Sequence, residues 1–111
     1  MTHKELESYF LEFPDTWLDF PFGEGVSVYK VGPKDKGKMF ALIQEGTSPL
    51  QVSLKCDPVL AETLREKYET VVPGYHLNKK HWNTILLTGQ LEVDQVKDLA
   101  RHSYLLVSAS L

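Results

Sequence analysis

A chain of 111 residues with 42% hydrophobic and 24% charged side chains has the makings of one core, and no break in composition divides it. A single domain over 1–111 is therefore expected, folding without metal or disulfide staples, since the lone Cys56 has no partner within the chain. The net charge of −3 excludes a surface given over wholly to anion binding, and no apolar run reaches the ~20 residues of a helical membrane span.

The first element is a helix. Thr2 and Glu5 have capping-box spacing, and Leu6, Tyr9, Phe10 and Phe13 follow on one face before Pro14 stops the run. The N-terminus lacks the basic start and continuous apolar stretch of a signal peptide and reads as mature sequence. Residues 14–24, PDTWLDFPFGE, combine two prolines, a glycine and aromatics, which predicts an irregular connection packed down by Trp17, Phe20 and Phe22.

Three strands follow, GVSVYKV, GKMFALIQE and PLQVSLKC, joined by the turn-rich GPKDKG and GTSP, so an antiparallel meander is expected. In the third strand Leu50, Val52, Leu54 and Cys56 alternate with Gln51, Ser53, Lys55 and Asp57, the mark of one buried and one wet face. The second, apolar throughout from Met39 to Ile43, is placed centrally. Asp57 and Pro58 then start a second helix, with Leu60, Leu64 and Tyr68 on one face. A short extended piece TVVPGYH, a strand HWNTILLT and a long amphipathic helix from Val93 complete the order α-β-β-β-α-β-β-α. The fold class is α+β, a two-layer sandwich with helices on one face of an antiparallel sheet.

Charge alternates along that order. Residues 1–29 carry net −5, 30–56 net +3, 57–69 net −2, 70–91 net +2 and 92–111 net −1. The acidic segments are mostly helical and the basic ones are strands and hairpins, so a molecule with two electrically different sides is expected.

The candidate chemistry is sparse. No G-x-S-x-G, P-loop, G-x-G-x-x-G or H-E-x-x-H motif is present, and His76 and His81 are spaced wrongly for one metal on one face. Cys56 lies on the apolar side of its strand, where a thiol acts as a small hydrophobe. No catalytic role, metal or cofactor is expected. Lys34, Lys36 and Lys38 around a glycine-flanked turn serve either as edge protection or as a phosphate-contacting wing. The stretch PGYHLNKKHWNTI offers the same choice. Trp82 either fills core or stacks on a base, Asn78 and Asn83 either bond to backbone or reach outward, and Lys79 and Lys80 are either solvated or bound to phosphate.

That stretch, with VSLKCDP, LREKY and SYLLV around it and FPFGEGVSVYKV and KMFAL before it, resembles the MmcQ/YjbR family of small bacterial proteins over nearly the whole chain. The resemblance implies a CyaY-like α+β domain and a DNA-binding label founded on likeness to a double-wing arrangement. Its motif falls on Lys55, His76, Asn78, Lys79, His81, Trp82 and Asn83; Leu105 departs from it, standing where the family commonly has an acidic residue.

The expectation is thus a non-enzymatic cytoplasmic protein that meets double-stranded DNA with little sequence preference. The contacts expected are Lys34, Lys36, Lys38, Lys55, His76, Asn78, Lys79, Lys80, His81, Trp82 and Asn83. A protein-interaction or self-association module is the alternative, and a ligand pocket lined by Tyr75, His76 and Trp82 the third reading.

Overall fold

The computed structural model describes residues 1–111. Helix α1 (His3–Glu12) begins at the expected box: the Glu5 amide donates to Thr2 Oγ1 at 3.1 Å, and the Thr2 amide to Glu5 Oε1 at 3.3 Å. Six strands follow, β1 (Thr16–Asp19), β2 (Val26–Val31), β3 (Lys38–Gln44), β4 (Gln51–Lys55), β5 (Val71–Pro73) and β6 (Trp82–Leu86). Helix α2 (Pro58–Lys67) lies between β4 and β5, and α3 (Val93–Ser108) closes the chain. At α2 the Asp57 carboxylate accepts from the Val59 and Leu60 amides, both at 3.1 Å, with proline at the first helical position.

The strands form one antiparallel sheet in the order β1-β2-β3-β4-β6-β5. The α+β fold class and the central place of β3 are as expected. One element corrects the reading of residues 14–24 as irregular: Thr16–Asp19 is an edge strand paired with β2, Trp17 opposite Lys30. Four residues between two prolines carry little strand signal of their own, and pairing with β2 supplies it.

All three helices cover one face. Leu6 and Phe10 from α1, and Val96, Ala100 and Val107 from α3, join Tyr29, Phe40, Ile43, Val52, Leu54 and Ile85 of the sheet in a single core. Phe10 lies 5.0 Å from Tyr29 and 5.9 Å from Phe40, ring to ring, and Phe13 stacks on Tyr104 at 4.5 Å. A register shift where Tyr29 opposes Ala41 but Lys30 opposes Met39 leaves Phe40 as an extra residue. Phe40 and Ala41 thereby both point into the main core, while Met39 and Leu42 turn to the other side. Ser103 ties α3 to the sheet, donating to the Phe40 carbonyl at 2.5 Å and accepting from the Lys55 amide at 2.9 Å.

The opposite face has no helix. Its cover is a small apolar cluster of Val28, Leu42 and Trp82, flanked by Val26, Met39 and Leu77. No helix is long and apolar enough to cross a membrane.

Candidate nucleic-acid interface and open-face cleft

Register gathers the sheet lysines at one end. β2 leaves the sheet and β3 enters it at the same end as β4 leaves and β6 enters, so the β2–β3 hairpin, Lys55 and the 78–81 turn share one rim. Lys30 stands opposite Met39, and Lys55 opposite Trp82, all four on the uncovered face.

The individual side chains differ in availability. Lys30 is neutralised by Asp19 at 2.8 Å, and this hydrogen bond, with the Phe20 amide and despite slight desolvation, holds the Asp19 carboxyl below its usual range. Lys34 sits 4.6 Å from the centre of the Trp17 ring, a cation–π contact that presents it beside β1. The indole itself is anchored by Nε1–H donating to the Gly32 carbonyl at 2.9 Å. Lys36 is exposed in the turn. Lys38 turns towards the helical layer, donating to the carbonyl of Ser110 at 3.1 Å, and so leaves the open face. Lys79 donates to the Gly74 carbonyl at 3.1 Å, and Lys80 is exposed. Both line a shallow cleft against α2 together with Glu62, Arg65 and Glu66, yet neither makes an ion pair.

The uncharged members of the motif mostly build the turn that carries these lysines. Asn78 Oδ1 accepts from the Lys80 amide at 3.0 Å, and the Asn78 carbonyl accepts from the His81 and Trp82 amides. The His81 carbonyl accepts from the Cys56 amide at 2.7 Å, locking the turn to the end of β4. Two candidates are removed from surface contact by burial: Trp82 is 7% exposed in the open-face cluster, and Asn83 is 3% exposed on the helix side. Asn83 donates through Nδ2 to the Ala61 carbonyl at 3.2 Å, fastening α2 to the sheet, while its Oδ1 has no partner. Cys56 is buried, and burial pushes its thiol up to about 11, out of the reactive range.

His76 belongs to a different structure. The segment Gly74–Leu77 folds back across the open face, where the Tyr75 amide reaches Thr84 Oγ1 at 3.4 Å. Gly74 permits the approach, because a Cβ there would lie 2.8 Å from Trp82 Cβ. His76 itself holds φ at 57°, a left-handed backbone uncommon outside glycine, although histidine enters it more readily than most residues. Beneath this segment lies a cleft of about 340 Å³ lined by Phe22, Val26, Leu42, Gln44, Ser53, Tyr75, His76 and Leu77. Trp82 lies under it in the apolar cluster rather than on its wall. Tyr75 and His76 were visible as pocket candidates, whereas Phe22, Gln44 and Ser53 come from three separate segments that only the sheet register brings together.

The profile of the YjbR family matches residues 11–106. The chain belongs to the YjbR family. It is 33% identical over 105 residues to the uncharacterized protein YbdF of Escherichia coli O157:H7, covering 95% of this chain and 83% of that one. The uncharacterized protein YjbR of Escherichia coli K12 is 44% identical over 66 residues, 60% of this chain and 56% of its own length. Among solved structures, the Deinococcus radiodurans protein DR2400, with its DUF419 domain, superposes with a TM-score of 0.93 at 42% identity, over 96% of this chain and 78% of that one. A Pseudomonas syringae protein gives 0.79 at 29% identity over 96% and 99%. Leu105, which follows Ser103 and Tyr104, is 53% exposed on α3 and lies off the core.

Proposed function

We propose that this YjbR-family protein is a non-enzymatic DNA-binding protein of the bacterial cytoplasm, holding duplex phosphates along the lysine rim with little sequence preference. The observation that supports this is the convergence of Lys34, Lys36, Lys55, Lys79 and Lys80 at one end of the sheet with no carboxylate in ion-pair contact with any of them. From β2 to β6 the rim spans three strand spacings, about 15 Å, comparable with the ~12 Å width of a major groove. Phosphate contacts fix position and carry no base information, hence the weak sequence preference.

Five such contacts give a salt slope of at most about −4.5, so affinity falls roughly 500-fold between about 50 and 200 mM salt. Fluorescence anisotropy with a labelled duplex at both salt concentrations tests this. Tight binding at low salt that collapses at high salt is expected; absence of binding at low salt rejects the proposal.

The exposure of Phe20, at 47%, and Phe22, at 60%, favours a second reading, a module that docks a protein partner or a second copy through this loop. A light-scattering mass of twice the monomer at micromolar concentration, returning to one in Phe22→Ser, is its signature.

A further inference from the structure

The cleft under Tyr75 and His76 is not used by phosphate contacts and has the makings of a site of its own. Two aromatic rings of its lining are largely in solvent, Phe22 at 60% and Tyr75 at 62% exposed, and the cleft brings them together from separate segments. The Tyr75 and His76 rings lie 4.0 Å apart and form one wall, with Phe22 belonging to the loop that leads into β2. The floor is apolar at Leu42 and Val26 and polar at Gln44 and Ser53. None of the eight lining residues is an acid, a lysine or an arginine.

Two polar side chains of the lining are left free to meet a ligand. The Gln44 side-chain amide and the His76 imidazole are open to solvent and make no hydrogen bond within the protein, and each offers both a donor and an acceptor. Ser53 Oγ is held 2.7 Å from Thr84 Oγ1, and Thr84 also receives the Tyr75 amide, so floor and wall are linked through one hydroxyl pair. The wall is further set by the left-handed backbone of His76, the kind of local strain that gathers at binding sites. A volume of about 340 Å³ is at the small end of ligand pockets.

We propose that this cleft binds an uncharged, flat heteroaromatic ring of nucleobase size. The ring would stack against Tyr75 and Phe22, its edge hydrogen-bonded by the Gln44 amide and His76. Flat shape follows from the aromatic sides, lack of charge from the neutral lining, and an edge bearing both donors and acceptors from the amide and imidazole. This site is separate from the lysine rim and stands without it, although the Gly74–Leu77 wall runs directly into Lys79 and Lys80. The ring therefore has two possible sources, a free base or nucleoside and an unpaired base within a strand.

The test is an amide NMR titration of the full chain with adenosine, with a short single-stranded oligonucleotide, and with cyclohexanol as a saturated ring. Saturable shifts at Phe22–Val26, Leu42–Gln44, Ser53 and Tyr75–Leu77 with adenosine, weakened about tenfold or more in Tyr75→Ala, are expected. Tyr75 is exposed, so the melting temperature of that variant serves as the folding control. Cleft shifts from the oligonucleotide but not from adenosine assign the ring to a strand and uphold the site. In Lys79→Ala/Lys80→Ala the adenosine response persists even where duplex binding is lost, which separates failure of the rim from failure of the cleft. Absence of cleft shifts with both aromatic probes, an equal response to cyclohexanol, or adenosine affinity unchanged in Tyr75→Ala overturns the proposal.

Discussion

The two faces of the sheet are built from the same strands and differ in what they bury. On the helix side, Phe10, Tyr29, Phe40, Ile43, Val52 and Ile85 are each at most 1% exposed and meet side chains from α1 and α3. On the open side the buried side chains are Val28, Leu42, Trp82 and the hydroxyl-bearing Thr84, and beyond them lie Phe22, Tyr75 and Gln44. The contrast teaches that strand alternation here separates a packed side from one left to solvent: even-numbered steps along β4 fill the core, and odd-numbered ones, Gln51, Ser53 and Lys55, face outward.

The largest effect expected from breaking that division is at Phe40. Phe40→Ala removes a ring that contacts Phe10, Phe13 and Tyr104 and should cost about 3–5 kcal/mol in a denaturant titration. Tyr75→Ala, on the other face, should change stability by less than about 0.5 kcal/mol. Equal losses at the two positions would erase the comparison.

Next comes Ser103→Ala, which leaves the Lys55 amide without its partner under α3 and should cost about 1–3 kcal/mol by the same measurement. A neutral result would mean that apolar packing alone holds α3 to the sheet.

A smaller effect is pH-dependent and sharpens the account of the covered side. Burial pulls the Glu45 carboxyl upward, but hydrogen bonds from Ser27 and from His3, the latter at 2.7 Å, outweigh it and leave it below the ordinary 4.5. A carboxyl lowered on folding adds stability above its unfolded value, and this stability is lost as pH falls through the folded one. Melting temperature should therefore drop below about pH 4.5, and Glu45→Gln should flatten that limb. Tyr29 provides the opposite limb: burial and its 2.5 Å hydrogen bond to Glu7 raise the phenol above its ordinary 10.0, so stability is complete below that pH and declines above it. Tyr29→Phe should flatten the alkaline limb.

Much of this was legible in the sequence, for identifiable reasons. The capping box at Thr2, the Asp57–Pro58 start and the clean alternation of β4 are local signals, and the helices and strands they announce are where they were expected. Strand β1 was not legible because Thr16–Asp19 sits between Pro14 and Pro21, with Asp15 at φ 61°, and owes its extension to β2. The run Met39–Ile43 announced a central strand but hid its bulge, since apolar residues on both faces give no period to read. At the rim, composition located the lysines, yet only coordinates turn Lys38 towards Ser110 and pair Lys30 with Asp19. The buried places of Trp82 and Asn83 were among the readings open from sequence, because a Trp entering an apolar strand and an Asn at a strand end have ready intramolecular partners. The open-face cleft was half visible, as Tyr75 and His76 are adjacent in sequence whereas Phe22, Gln44 and Ser53 converge through pairing of distant strands.

The most direct measurement compares wild type with Lys55→Ala/Lys79→Ala/Lys80→Ala in duplex-DNA anisotropy across a salt series, alongside thermal melts of both. The account predicts that the salt slope becomes shallower by about 2.7, one increment of ~0.9 for each phosphate contact removed, while the melting temperature stays put because these side chains lie off the core. An unchanged slope, or a loss of binding that merely tracks a loss of folding, would contradict it.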